Sequence, residues 1–460
     1  MSQKQENGLF VFRRDLRTVD NNGLNLLSKL CNNLYTIFIF TPEQVGSGNN
    51  YKSNNSVQFM IESLADLASE IKKGGGQLHT FYGKNNKVIS DCIKAWNINI
   101  VAFNTDITPY ARERDDSIVK MCQKMGVDVK TEQDYFLHPP GSIKTGTGEP
   151  YQKFTPYFEK ASVIKVPVPT TKKQLPLKSH SASVPNHISL EEAMKRFTKI
   201  NPDILVHGGR PEALHLLSRA VKNITNYNAI HNDLSLKTSE LSAYIKFGCI
   251  SIREAYKALH DKPGIIRQLY WRDFYANIMY EFPHVIGHSL KQKYDKLNWH
   301  HNDNWFKAWC KGKTGYPIVD AGMRQMNTTG YMHNRSRLIV ASFLVKTLLI
   351  DWREGEEYFA QTLTDYDPSN NNGNWQWISG GGADSQPYFR VFNPWRQAAE
   401  YDPKCEYIKK WVPELKDVPI KDLLKWNTKH TEYKDIPYPT PIVNYEVQRE
   451  QVLKLYASIF

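Results

Sequence analysis

The sequence predicts an α/β domain built on a parallel sheet, then a long linker, then a second domain that is all helix. Three observations carry this expectation. Residues 8 to about 131 alternate between strand-like and helix-like periods, residues 136 to 200 are broken by Pro and Gly, and the apolar spacing from about 201 onward is mostly helical. The boundaries are placed at 1–135, 136–200 and 201–460.

Leu9-Phe10-Val11-Phe12 and Tyr35-Thr36-Ile37-Phe38-Ile39-Phe40 are short apolar runs of strand length. Between them Leu24, Leu26, Leu27 and Leu30 recur at helical spacing. A helical stretch at 57–71, a strand at 77–82, another helix, a strand at 98–103, a helix at 109–125 and a strand at 127–130 complete the series. Such alternation lays strands in parallel with helices on both faces. Neither G-x-G-x-x-G nor a P-loop is present. Gly74-Gly75-Gly76 follows a helix and precedes a strand, so it reads as a helix stop. In the linker, Pro139-Pro140, Gly146 to Pro150 and Val166-Pro167-Val168-Pro169 interrupt regular structure. Lys and Ser recur through to Pro185, and the segment is expected to cross the surface. In the last domain Asn334 to Leu349 is amphipathic and turns strongly apolar at its end.

Composition narrows the function. With 41% hydrophobic and 23% charged residues over 460 positions, the chain is globular with a sizeable core, not disordered. Lys and Arg exceed Asp and Glu by 59 to 47, a net charge of +12 that suits a polyanion, nucleic acid foremost. No apolar run approaches the roughly 18 residues of a membrane span. The start, Met-Ser-Gln-Lys-Gln-Glu-Asn, does not read as a signal peptide. The six cysteines are scattered without a C-x-x-C pair, so neither a disulfide scaffold nor a metal site is expected, and an intracellular, reducing compartment is.

Three segments carry chemistry. In RQLYWRDFY (267–275), a helix puts Gln268, Trp271, Arg272 and Tyr275 on one face. An amide, an indole, a guanidinium and a phenol together suit a planar, hydrogen-bonding ligand such as a base. The plainer reading is an amphipathic helix with Trp271 in the core. In YMHNRSRL (331–338), Asn334 and Arg337 share a face, Leu338 lies one turn on from Asn334, and Arg335 points elsewhere. A buried Arg337 needs a carboxylate, and Asp365 and Asp367 are the candidates; surface ion pairing is the alternative. Residues 365–395, DYDPSNNNGNWQWISGGGADSQPYFRVFNPW, are crowded with Asn and Gly and are expected to form a loop. Trp375 and Trp377 in that loop need a defined pocket, and Arg390 and Arg396 could neutralise phosphates.

These segments resemble the photolyase/cryptochrome family, most of all the class I cyclobutane pyrimidine dimer photolyases. Residues 313–359 (KTGYPIVDAGMRQMNTTGYMHNRSRLIVASFLVKTLLIDWREGEEYF) and 370–377 (NNNGNWQW) are long matches, and FVFRRDLRTVDNNGL (10–24) is similar to the N-terminal signature. The resemblance implies a Rossmann-like α/β antenna domain, a linker and a helical domain holding a folded FAD. It implies that Tyr227 and Thr238-Ser239-Glu240-Leu241-Ser242 hold the phosphates. Gln268, Arg272, Arg337, Asp365, Asp367 and Asn371 would line the flavin and ribose pocket, Asn371 facing flavin N5. Composition alone makes Trp375, Trp352 and Trp299 core residues; the matched flanks imply an electron relay, with Trp299 at the surface. Trp271 and Trp377 would sandwich a flipped-out dimer in damaged DNA, with Asn334, Arg335 and Arg390 contacting lesion or backbone. The implied activity is that of a deoxyribodipyrimidine photo-lyase, acting as a monomer with the DNA, in cytoplasm or nucleus, its reduced FAD giving one electron to the dimer.

Three positions depart from the familiar pattern. Gln268 stands for a usual Glu, Leu338 for a Met and His231 for an Arg. Gln268 also resembles (6-4) photolyases and animal cryptochromes, although Met332-His333-Asn334 lacks the His-His pair of (6-4) enzymes. Thr108 to Arg114 lacks the Asn-Glu pair of folate-binding members, so an antenna chromophore, if bound, is of another kind.

Overall fold

The computed structural model describes residues 4–171, 174–385, 387 and 389–459. Five strands, β1 (Gln5–Phe12), β2 (Cys31–Phe40), β3 (Leu78–Tyr82), β4 (Ile100–Asn104) and β5 (Asp128–Glu132), form one sheet in the order β3-β2-β1-β4-β5. Every pairing is parallel. The pleat of β1 sends Phe10 and Phe12 into one core and Leu9 and Val11 into another, so both faces are covered. β2 begins four residues earlier than the apolar run. Its polar start, Cys31-Asn32-Asn33, pairs with β1, and Asn33 bonds the side chains of Glu6 and Asn7. Gly74 does end the helix Asn54–Lys73, its N–H returning to Glu70 and Ile71 carbonyls.

The linker is more ordered than its composition suggests. It contains the helices Phe154–Ser162 and Leu190–Phe197. β3 pairs with β2 only from Thr36 onward, so Leu34 has an open edge. The linker fills it: Leu34 N–H donates to Pro176 O at 2.8 Å and Lys178 N–H to Leu34 O at 2.9 Å. Leu175, Leu177, Val184 and Ile188 are buried there. Residues 172 and 173 of this segment lie outside the described residues.

The rest of the chain is helical. A buried ion cluster joins it to the sheet domain. Arg253 reaches Asp20 at 2.9 Å and Asp134 at 2.7 Å, and Arg17 reaches Asp134 at 2.5 Å. Both guanidiniums are nearly inaccessible to water, so each needs these carboxylates.

The predicted loop at 365–395 is corrected in its first part: Pro368–Ser379 is a helix. Asp367 caps it, accepting from the Asn370 N–H at 3.1 Å; Pro368 opens it and Gly380, at φ +93°, ends it. Its Gly373 serves close packing, because an added Cβ would lie 2.1 Å from the Tyr275 ring of the helix Pro263–Glu281. Residues 386 and 388 of the loop lie outside the described residues.

Candidate active site

A cavity of about 450 Å³ opens among the helices, bounded by residues of both large hydrophobic clusters. The helix Pro263–Glu281 turns Gln268, Trp271, Arg272 and Tyr275 to this cavity, the face read from spacing. The helix Asn334–Lys346 contributes Asn334, Arg337 and Leu338, while Arg335 points away. Arg335 bonds Asn232 at 2.7 Å and stacks on Tyr401 at 4.3 Å. The helix Pro368–Ser379 brings Asn371, Trp375 and Trp377. Tyr227, His231 and the run Thr238 to Ser242 also line it.

The polar groups are held in place. Arg337 pairs with Asp365 at 3.0 Å and donates to Met332 O at 2.9 Å. Asp367 is not part of that pair. Its carboxylate takes Arg14 of the sheet domain at 2.8 Å and Ser369 at 2.6 Å, besides capping its helix. Burial alone would raise this carboxyl, but the Arg14 and Arg272 guanidiniums hold it well below the usual range. Arg272 donates to Tyr135 O at 2.6 Å. Thr238 Oγ1 and Tyr331 Oη lie 2.5 Å apart. Glu240 sits in the left-handed region at φ +56°, paired with Arg219. That unusual backbone places Leu241 and the short helix Ser242–Lys246 beside the cavity. The Asn371 amide donates to Glu356 O at 2.9 Å. Gln268 is exposed, its amide donating to the carbonyl of Gly264, 3.4 Å away.

Trp375 lies on the cavity wall, 2% exposed, against the helix Trp352–Thr362, where an added Cβ on Gly355 would come 2.2 Å from its ring. Trp352 starts that helix and is buried. Trp299 is not at the surface as expected. It is 7% exposed, because the helix Tyr445–Ala457 crosses it with Tyr456 edge-on at 6.2 Å. Arg390 is away from the cavity and exposed, its carbonyl accepting from the buried Lys346 Nζ at 2.9 Å.

Residues 265–458 match the model of the FAD binding domain of DNA photolyase, and residues 9–173 the DNA photolyase model. A deoxyribodipyrimidine photo-lyase of Synechococcus is 33% identical, with 98% of this chain and 96% of that protein covered. The chain belongs to the DNA photolyase family. An archaeal photolyase from Sulfolobus tokodaii, solved with two FAD molecules, is 40% identical and covers 98% of this chain and all of its own, with a TM-score of 0.88. A Synechocystis cryptochrome is 27% identical over 99% of this chain and all of its own, also at 0.88.

The cavity fits the FAD of the photolyase family by its donor set. Hydroxyls and backbone of Thr238 to Ser242, the Arg337–Asp365 pair, the Asn371 amide and apolar faces share one lining. Sequence reasoning missed Arg14, Tyr331, Glu356 and Tyr51. Tyr51 donates to the Glu356 carboxylate at 2.8 Å, and burial pushes that carboxyl up to about 7. Arg14 lies in the N-terminal signature, and Tyr331 and Glu356 in the match at 313–359, but none carries a spacing that marks it; Tyr51 lies outside every matched segment.

Proposed function

We propose that this enzyme repairs cyclobutane pyrimidine dimers in DNA with light, working inside the cell as a single chain. The observation that carries the reading is that one cavity is lined both by the residues suited to FAD and by Trp271, Trp377, Asn334 and Gln268. Bound there, FAD in its reduced form supplies a light-excited one-electron donor. Trp271 and Trp377 offer two flat faces to a dimer turned out of the duplex, a turn that costs least at a damaged site. Gln268 and Asn334 donate and accept hydrogen bonds at its base edges. Arg337 and Asp365 keep a fixed dipole in the cavity, and Asn371 keeps a neutral amide there. Arg335, Arg390 and the basic surplus hold the phosphate backbone. Trp299, Trp352 and Trp375 pass electrons inward to the cavity wall.

Gln268 favours one second reading, a flavin photoreceptor that repairs nothing, because an amide lacks the charge and proton of the usual acid. One assay separates them. Reduced protein is mixed with a thymine-dimer oligonucleotide under blue light, with a (6-4) oligonucleotide alongside. Restored thymine absorbance with the first alone is expected. Restoration with the second alone would reassign the lesion. Restoration with neither, while the flavin still photoreduces, would leave the photoreceptor.

A further inference from the structure

We propose that the linker sets the aromatic slot, with Phe154 a positioning residue that holds Trp271 ready for a flipped pyrimidine dimer. This inference rests on the repair reading above. The Phe154 ring lies flat on the Trp271 indole, centroids 3.7 Å apart and planes 7° from parallel. Phe154 is 1% exposed, so packing fixes its place. The Arg267 guanidinium lies 4.8 Å from the Phe154 ring centroid. Arg267 and Trp271 are one turn apart on the helix Pro263–Glu281, so both reach the same phenyl ring, and the guanidinium also lies 4.7 Å from the Phe158 ring centroid. Phe274 stands edge-on to both rings, at 5.7 Å and 5.6 Å. Trp271 itself lines the cavity, so the stack ends where the base would begin.

The same segment also reaches the loop after the helix Pro368–Ser379. Asp384 follows Trp377 by seven residues, and its N–H donates to the Gln152 carbonyl at 2.9 Å. Asp384 holds φ at +48°, a conformation Asp tolerates better than most residues. Its carboxylate faces Lys153, Arg267 and Lys291. Residues 152–154 therefore meet both the loop that follows the helix of Trp377 and the Trp271 ring. A tryptophan ordered beforehand loses little rotamer freedom when a base stacks on it.

Phe154→Leu removes the flat face and keeps an apolar side chain; Phe154→Tyr keeps the ring. In Phe154→Leu, affinity for a thymine-dimer duplex should fall roughly tenfold, the scale of one base–aromatic stack. Affinity for undamaged duplex, FAD content and photoreduction should stay as in the wild type, and Phe154→Tyr should keep the dimer preference. In DNA-free holoenzyme labelled with 5-fluorotryptophan, the Trp271 resonance, assigned with Trp271→Phe, should be single and sharp. It should broaden or split in Phe154→Leu. An unchanged dimer preference, or equal loss on both duplexes, overturns the proposal. If the wild type itself shows no dimer preference, the repair reading fails instead, and the fluorine resonance alone decides whether Phe154 orders Trp271.

Discussion

Trp375 is buried on the cavity wall with the Phe359 ring edge-on at 4.9 Å. A relay role and a packing role make different demands on it. Trp375→Phe keeps an aromatic ring but removes an easily oxidised one. Photoreduction of oxidised flavin should be lost, while repair by protein reduced beforehand stays nearly intact; equal loss of both would make Trp375 purely structural. Lys346 is a second test at this scale. It is 2% exposed, and burial lowers its ammonium to about 8. Between about pH 8 and the ordinary lysine value, the unfolded chain holds a proton that the folded chain has released. Stability from this group therefore rises with pH across that window and is absent below it. Lys346→Met should flatten that slope in denaturant titrations, by up to about 3 kcal/mol across the window. It should also free the Arg390 carbonyl and weaken DNA binding; a slope identical to wild type contradicts the assignment.

At the scale of elements, the helix Pro368–Ser379 shows where sequence reading stops. Its Asn and Gly suggested a loop, since each weakens an isolated helix. Here Asp367 and Gly380 bound the segment, and Gly373 lets the helix approach Tyr275. The packing that makes glycine favourable lies in another helix, about a hundred residues away in the chain, so no local pattern reports it. Gly373→Ala should lower stability by about 1–3 kcal/mol through overpacking and lower flavin retention with it; thermal melting and the flavin-to-protein ratio check both. The helix Pro263–Glu281, by contrast, was legible, because four chemically distinct side chains at spacings of three and four need one shared face.

At the scale of the molecule, the sheet, its order of α and β elements and the helical half follow from periodicity alone. The contacts between them do not. Arg253, Asp20 and Asp134 lie far apart in the chain, and each charge is intelligible only beside the others. Arg253→Met should cost about 3 kcal/mol, since Asp20 then remains buried without its guanidinium; chemical denaturation measures this, and a change within error would make the cluster incidental. DNA affinity should fall steeply with salt as neutralised phosphates release counterions. The same long-range logic placed Phe154, a linker residue, behind a cavity tryptophan.

The account turns on an electron leaving the cofactor in the helical cavity for a lesion at its mouth. The most direct measurement is fluorescence of the reduced flavin as duplex is added in the dark-equilibrated complex. Quenching by thymine-dimer duplex, with emission unchanged by undamaged duplex, is the predicted result. Equal emission with both duplexes, under conditions where both are bound, would contradict it.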